Sequence, residues 1–259
     1  MSCSRKNDED TNIELPPIRT PGPLKIWNVV DGFKKVGDKS IPVKIVLQEL
    51  PEERFDDALD HMLTYFVVDE PCCRSMKVTE DPVVLQDFRN IWTILMKQGL
   101  TIVAFAENPD DGKPEIAGLN VIGVEIKDDD RKVDNYKIKS PLTERLISTV
   151  MKLCKEAKIY EYYNTDRYMY AFGLSVHPSY RGHALGAHIL NARLQIGREY
   201  KIPVTATAFT SEISQKLAAR CGFEVRFERD YDKILDEEGK EIFPNIKFKT
   251  FKTMARRLY

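Results

Sequence analysis

Hydrophobic positions change period several times along the 259-residue chain, and each change predicts an element. Val-Lys-Ile-Val-Leu-Gln-Glu-Leu over residues 43–50 suits a short strand. Pro51 then opens a helix where its missing N–H costs nothing, and Glu52 and Glu53 complement the positive helix end. Phe55, Leu59, Met62 and Phe66 recur at helical spacing until Asp69-Glu70-Pro71, where proline disfavours helix at the residue before it. A second helix is predicted from Asp81-Pro82 to Gly99, with Val84, Phe88, Ile91, Trp92, Leu95 and Met96 as its buried stripe. Strands over 100–106 and 116–126 follow, joined by a turn-rich run at 108–112, and the charged run 127–131 reads as a solvated loop.

Pro141 starts another amphipathic helix, through Leu142, Leu146, Val150, Leu153 and Ala157. After it the pattern alternates: strand 168–176, helix 182–200, strand 204–209, helix 211–220, then strands 223–227 and 246–254 around a loop tip at 236–240. Helices inserted among strands with some short connections predict a mixed α/β sheet. No composition shift divides residues 26–259, which read as a single domain. Residues 1–25, holding Pro16, Pro17, Pro21, Gly22 and Pro23 among polar residues, are expected to form a disordered tail. Between them, residues 27–41 suggest a loop or short strand with no chemistry attached.

Composition then removes several classes of function. With 39 Lys+Arg against 40 Asp+Glu the formal charge is −1, which lacks the basic face that nucleic-acid phosphates require. There is no basic-then-apolar leader and no apolar run near the ~18 residues that span a bilayer, so a cytoplasmic chain without membrane contact is expected. Five cysteines without C-x-x-C spacing argue against a disulfide framework or zinc site, and Cys72-Cys73 would bridge only through a strained ring. His183 and His188 are five apart and miss a common helix face, so no metal is expected.

The chemistry concentrates in Gly173-Leu174-Ser175-Val176-His177-Pro178-Ser179-Tyr180-Arg181-Gly182-His183-Ala184-Leu185-Gly186-Ala187, where a buried strand turns into a glycine-punctuated helix start. Unpaired N–H groups and the helix dipole make such a start an anion site, and small residues let a diphosphate approach the backbone. An ordinary turn containing glycines is the alternative. Neither G-x-x-x-x-G-K-S/T nor G-x-G-x-x-G is present.

The order resembles motif A of the Gcn5-related N-acetyltransferase (GNAT) superfamily: a strand ending in Val-x-Pro, then Gln/Arg-x-x-Gly-x-Gly/Ala. Arg181 fits the first position and Gly186 the last, while Ala184 stands where the central glycine usually is. Leu217-Ala218-Ala219-Arg220-Cys221-Gly222-Phe223 resembles motif B, and the helix ending Phe66-Val67-Val68-Asp69-Glu70-Pro71 is similar to that of the insect arylalkylamine N-acetyltransferases, dopamine N-acetyltransferase among them. The resemblance spans residues 43–254. It implies the GNAT α/β fold: a central mixed sheet of about seven strands with helices on both faces, strand 168–176 (the family's fourth) splayed from strand 204–209 (its fifth).

The resemblance also implies an enzyme using acetyl-CoA as co-substrate, without metal, in which a small primary amine attacks the thioester directly in a ternary complex. The amine would be an arylalkylamine such as dopamine, serotonin or tyramine. Leu174, Ser175 and Val176 would bind the pantetheine arm, Arg181, Gly182, His183, Ala184, Leu185, Gly186 and Ala187 the diphosphate, and an N–H near Leu174 would face the oxyanion. Glu70 would be the general base, helped by burial or a relay of waters, against its reading as a solvated helix end. Ala218 replaces the tyrosine acid found in many members. The insect branch points instead to Ser214, or Thr210, to protonate the thiolate; helix capping is the structural alternative for both, with Thr210 or Ser211 as a natural N-cap. Tyr65, Phe66, Tyr162 and Tyr163 could wall an aryl group or belong to the core. Agmatine or polyamine acetylation, a longer acyl-CoA, and a non-catalytic acyl-CoA binder remain open. The partners expected are the amine and acetyl-CoA, on a monomer. Lys247, Lys249, Lys252, Arg256 and Arg257 read as a solvated edge.

Overall fold

The computed structural model describes residues 15–107, 112–129 and 136–259. Eight strands make one sheet: β1 (Ile26–Val36), β2 (Lys39–Glu49), β3 (Ile102–Ala106), β4 (Glu115–Ile126), β5 (Arg167–Val176), β6 (Val204–Phe209), β7 (Glu224–Asp230) and β8 (Thr250–Arg257), in the order β1-β2-β3-β4-β5-β6-β8-β7. All neighbours are antiparallel except β5 and β6, which run parallel and pair only at Met169 and Thr205. The mixed α/β architecture and the splay agree with expectation, with one strand more than about seven.

The additional strand comes from residues expected to be a loop or short strand. β1 and β2 form a long hairpin turning at Gly37, which takes φ 58°. Along β1 only Trp27 and Gly32 are buried, so no period-2 apolar pattern marks it. The first 14 residues of the expected tail lie outside the described residues, as do 108–111 and 130–135. Residues 15–25, however, lie against the body: Leu15 is buried, and Ile18 and Arg19 donate backbone N–H bonds of 3.0 and 3.1 Å to the Gln98 carbonyl. Glu49, 1% exposed, holds Arg19 Nε at 2.7 Å and the Lys25 N–H at 3.0 Å and accepts from Tyr200 Oη. A buried carboxylate needs such partners, which ties this segment down despite its prolines.

Among the described residues, eight α-helices complete the layers: α1 (Phe55–His61), α2 (Val67–Asp69), α3 (Pro71–Ser75), α4 (Pro82–Met96), α5 (Pro141–Lys155), α6 (Ile159–Tyr163), α7 (Leu185–Glu199) and α8 (Glu212–Arg220). Val103 and Phe105 of β3 pack with Phe88, Trp92 and Leu95 of α4. Ile102 and Ala104 point the other way, to Leu185, Ile189 and Ile196 of α7. Strand alternation thus gives each face of the sheet its own apolar cluster. No described helix is long and apolar enough to cross a membrane.

Candidate active site

Midway along β5 the pairing with β4 slips from Asn120–Leu174 to Ile122–Ala171, so Phe172 and Gly173 bulge. Gly173 takes φ 106°, and a Cβ there would stand 2.6 Å from Met62 Cε and 3.0 Å from Phe66 Cζ, so only glycine fits. The bulged carbonyls find side-chain donors: Asn120 Nδ2 gives 2.7 Å to Gly173 O, and Trp92 Nε1 gives 2.8 Å to Phe172 O. The residues pressing on the bulge come from a π-helical turn, Met62–Phe66, which joins α1 to α2. Four residues further on, that turn delivers Glu70.

A cavity of about 220 Å³ passes between β5 and β6. Its walls are mostly apolar, with Phe66, Phe88, Leu146 and Val150 on one side and Leu174, Leu190 and Leu217 on the other. Glu70 and Ser214 both line it, as does Thr210. Glu70 is half-buried and N-caps α3, its Oε2 accepting the Cys73 N–H at 2.6 Å, so it is a helix cap facing a cavity rather than a free surface charge. Ser211, not Thr210, caps α8. Ser214 N–H donates 3.1 Å to Ser211 Oγ, and Ser214 Oγ donates 2.8 Å to Ser211 O. The Thr210 carbonyl accepts Tyr231 Oη–H at 2.8 Å. Of the four aromatic residues singled out, Phe66 alone lines the cavity. Tyr65 packs edge-on against His61 and His177, Tyr162 is exposed beneath Arg226, and Tyr163 is buried under Arg257.

Above the splay, helix α7 begins at Leu185 rather than Gly182, because Gly182 and Ala184 take φ 100° and 58°. The left-handed geometry at Ala184 costs a non-glycine residue roughly 1–2 kcal/mol, which is why glycine is the easier occupant. Ala187 N–H makes a 2.8 Å bond back to Ala184 O, leaving the Leu185 and Gly186 N–H groups without an intrahelical acceptor. Arg181 spans the entrance, with Nε 2.8 Å from Val176 O and Nη2 2.5 Å from Asp69 Oδ2. Free N–H groups at a dipole end beside a guanidinium fit a diphosphate. Of the three residues expected at the pantetheine arm, Leu174 lines the cavity, whereas Ser175 turns its hydroxyl to the opposite face.

Three further features escaped the sequence reading. Arg193, 1% exposed, directs Nε and Nη2 to Asn120 Oδ1 at 3.0 and 2.6 Å, and Nη1 to Thr205 and Thr207 Oγ1 at 3.0 and 3.1 Å. Burial pulls its pKa down to about 9, so it stays charged at neutral pH, held entirely by neutral oxygens. A charge on the apolar face between Ile189 and Ile196 was its signal. At another part of the cavity Tyr168 Oη donates 2.7 Å to Glu125 Oε2. Beneath β5, His61 Nε2 lies 3.1 Å from Ser175 Oγ.

Burial, reinforced by the charges of His177 and Arg181, drives the His61 pKa from 6.5 to about 3. The folded ring stays neutral while the unfolded ring protonates below about 6.5, so stability is lost as pH falls between these values. About 2 kcal/mol should disappear between pH 6.5 and 5 through this group. Denaturant unfolding at both pH values measures it, and His61→Gln, which can still bond Ser175, should flatten the dependence; an unchanged slope in that variant would exclude His61 as its source.

Residues 146–223 match the model of the acetyltransferase (GNAT) family. The fold is similar to that of a protein assigned as insect arylalkylamine N-acetyltransferase 7 from the yellow fever mosquito Aedes aegypti, with 29% identity, TM-score 0.81, and 96% of this chain and 99% of that chain covered. Arylalkylamine N-acetyltransferase 2 of Aedes aegypti shares the fold at 20% identity, TM-score 0.71, over 83% of this chain and 99% of that one. So does the polyamine N-acetyltransferase of Drosophila melanogaster, at 19% identity, TM-score 0.63, over 82% and 99%. No curated protein matches the chain in sequence. With its GNAT domain and these neighbours, the chain is an N-acetyltransferase.

Proposed function

We propose that this GNAT-domain N-acetyltransferase transfers the acetyl group of acetyl-CoA to a small arylalkylamine. The observation that carries this reading is the cavity at the β5–β6 splay, an apolar, aromatic-edged chamber lined by the carboxylate of Glu70, with the loop 181–187 leading from the end of β5. Acetyl-CoA supplies an activated thioester, and the amine nitrogen attacks its carbonyl carbon.

The chain's own groups have distinct tasks. Gly182–Ala187 and Arg181 hold the diphosphate, while the β5 backbone from Leu174 to Val176, freed by the splay, pairs with the pantetheine arm. The Leu174 N–H, aimed by the bulge, faces the developing oxyanion, a preorganised donor of a kind worth roughly 3 kcal/mol. Glu70 takes the proton from the ammonium, its carboxylate lining the cavity while Oε2 accepts the Cys73 N–H. Ser214 lines the same cavity from within its capping box; with its hydroxyl turned from the Ser211 carbonyl it passes a proton to the departing thiolate and takes back the one shed by the acylated nitrogen. Phe66, Phe88 and Leu146 enclose the aryl body, where each buried methylene contributes about 0.8 kcal/mol.

Glu125 supports a second reading, in which a polyamine or agmatine places its second cation against that carboxylate. Free-thiol release from acetyl-CoA and a longer acyl-CoA, with dopamine, serotonin, tyramine, agmatine and spermidine, separates the two. The arylalkylamines should give the highest kcat/KM with acetyl-CoA. Preference for spermidine or agmatine would favour the second reading, and CoA binding without turnover of any amine would reduce the chain to an acyl-CoA binder.

A further inference from the structure

The β1–β2 hairpin, which carries no chemistry in the sequence reading, folds over the loop 181–184. Phe33 and Lys35 share one face of β1, as residues two apart on a strand must. Phe33 packs on His183 with ring centroids 5.1 Å apart, and Lys35 Nζ lies 3.7 Å from the place a Cβ would occupy on Gly182. Lys34, on the other face, is committed elsewhere: its Nζ is 2.7 Å from Glu115 Oε1, and Glu115 Oε2 accepts Tyr180 Oη–H at 2.5 Å. That knot fastens the hairpin to the body just below the loop. Lys35 has no acidic partner among the described residues, so a fixed scaffold holds an uncommitted ammonium above the glycine of the anion loop.

Two observations suggest an anion between them. Arg181, the loop's own cation, is shared with Asp69 and the Val176 carbonyl, so its charge is already partly balanced and a diphosphate there calls for a second cation. His183 Nε2 is buried without any hydrogen-bond partner among the described residues, so the loop beneath the hairpin carries an unmet polar group. We propose that the hairpin is a third wall of the diphosphate site and that Lys35 is a phosphate ligand, with Phe33 setting its height over the loop through His183. This rests on the acetyl-CoA reading above, and it gives residues 26–42 a task in cofactor binding.

The test is calorimetric binding of CoA to the full chain, with acetyl-transfer kinetics alongside. Lys35→Ala should weaken CoA about tenfold and flatten the salt dependence of binding, as expected for one lost charge-assisted phosphate contact. Lys35→Arg should restore affinity, and Lys39→Ala, which removes a cation from the same hairpin, should leave it unchanged. At saturating acetyl-CoA, kcat should stay at the wild-type value, because the contact is equal in ground and transition states. Dephospho-CoA should suffer the same Lys35→Ala penalty. A penalty that vanishes with dephospho-CoA would move Lys35 to the 3′-phosphate and overturn the diphosphate assignment, and unchanged affinity for CoA itself would overturn the proposal altogether. Failure of the wild-type chain to bind CoA is a separate outcome, refuting the cofactor reading underneath.

Discussion

Glu70→Gln is expected to lower kcat/KM for the amine about 100- to 10,000-fold near neutral pH, the range general-base catalysis contributes. An alkylamine is almost wholly protonated there, and its lone pair becomes available only when a base accepts the proton. Glutamine retains an oxygen able to accept the 2.6 Å bond from the Cys73 N–H, so the start of α3 survives while the basic group is gone. Glu70→Ala removes both, and should add a stability loss of about 1 kcal/mol from the missing cap. The residual rate of either variant should climb with pH toward the amine's own pKa, roughly 10, as neutral amine arrives from solution. Steady-state kinetics across pH with an unfolding curve for each variant make the test. A Glu70→Gln enzyme with wild-type kcat/KM and an unshifted profile would leave Glu70 as a helix cap only.

Arg193→Met should have the largest effect on stability, about 2–4 kcal/mol, because it withdraws every donor from Asn120 Oδ1 inside the protein. At this chain length that corresponds to a Tm roughly 5–10 °C lower. Activity should fall as well. Asn120 is the link that holds the Gly173 carbonyl, and Thr205 and Thr207 lie on β6, so the guanidinium spans the two sides of the splay. Asn120→Leu combined with Arg193→Met should cost less than the sum of the single changes, since the pair removes donor and acceptor together. Strict additivity in that cycle would show that the two side chains do not act as one unit.

The parts of the molecule legible in the sequence are those whose signal is local. Asp81-Pro82 and Pro141 are recognisable helix starts because a proline at the first position acts within one turn, and both hold in the structure, where Asp81 and Ser140 supply the caps. The Arg181–Gly186 loop stood out for the same reason, since an anion site there would arise from backbone N–H groups of neighbouring residues. Ser211 and Thr210 could not be ranked as caps, because either side chain can accept the N–H groups of a first turn, and the structure places the capping box at Ser211 and Ser214. Hairpin β1–β2 was missed because it buries so little of itself, and the packing of residues 15–25 because their partners, Gln98 and Glu49, are remote in sequence.

By itself, then, the sequence determined the alternation of helices and strands, the glycine-punctuated start of α7 and the carboxylate at a helix end, each being a property of a few consecutive residues. Only the tertiary structure decided that Glu70 and Ser214 line one cavity, that a buried arginine spans the splay, and that the hairpin reaches Gly182. Those facts depend on residues up to about 150 positions apart meeting in space, and no periodicity along the chain encodes such meetings.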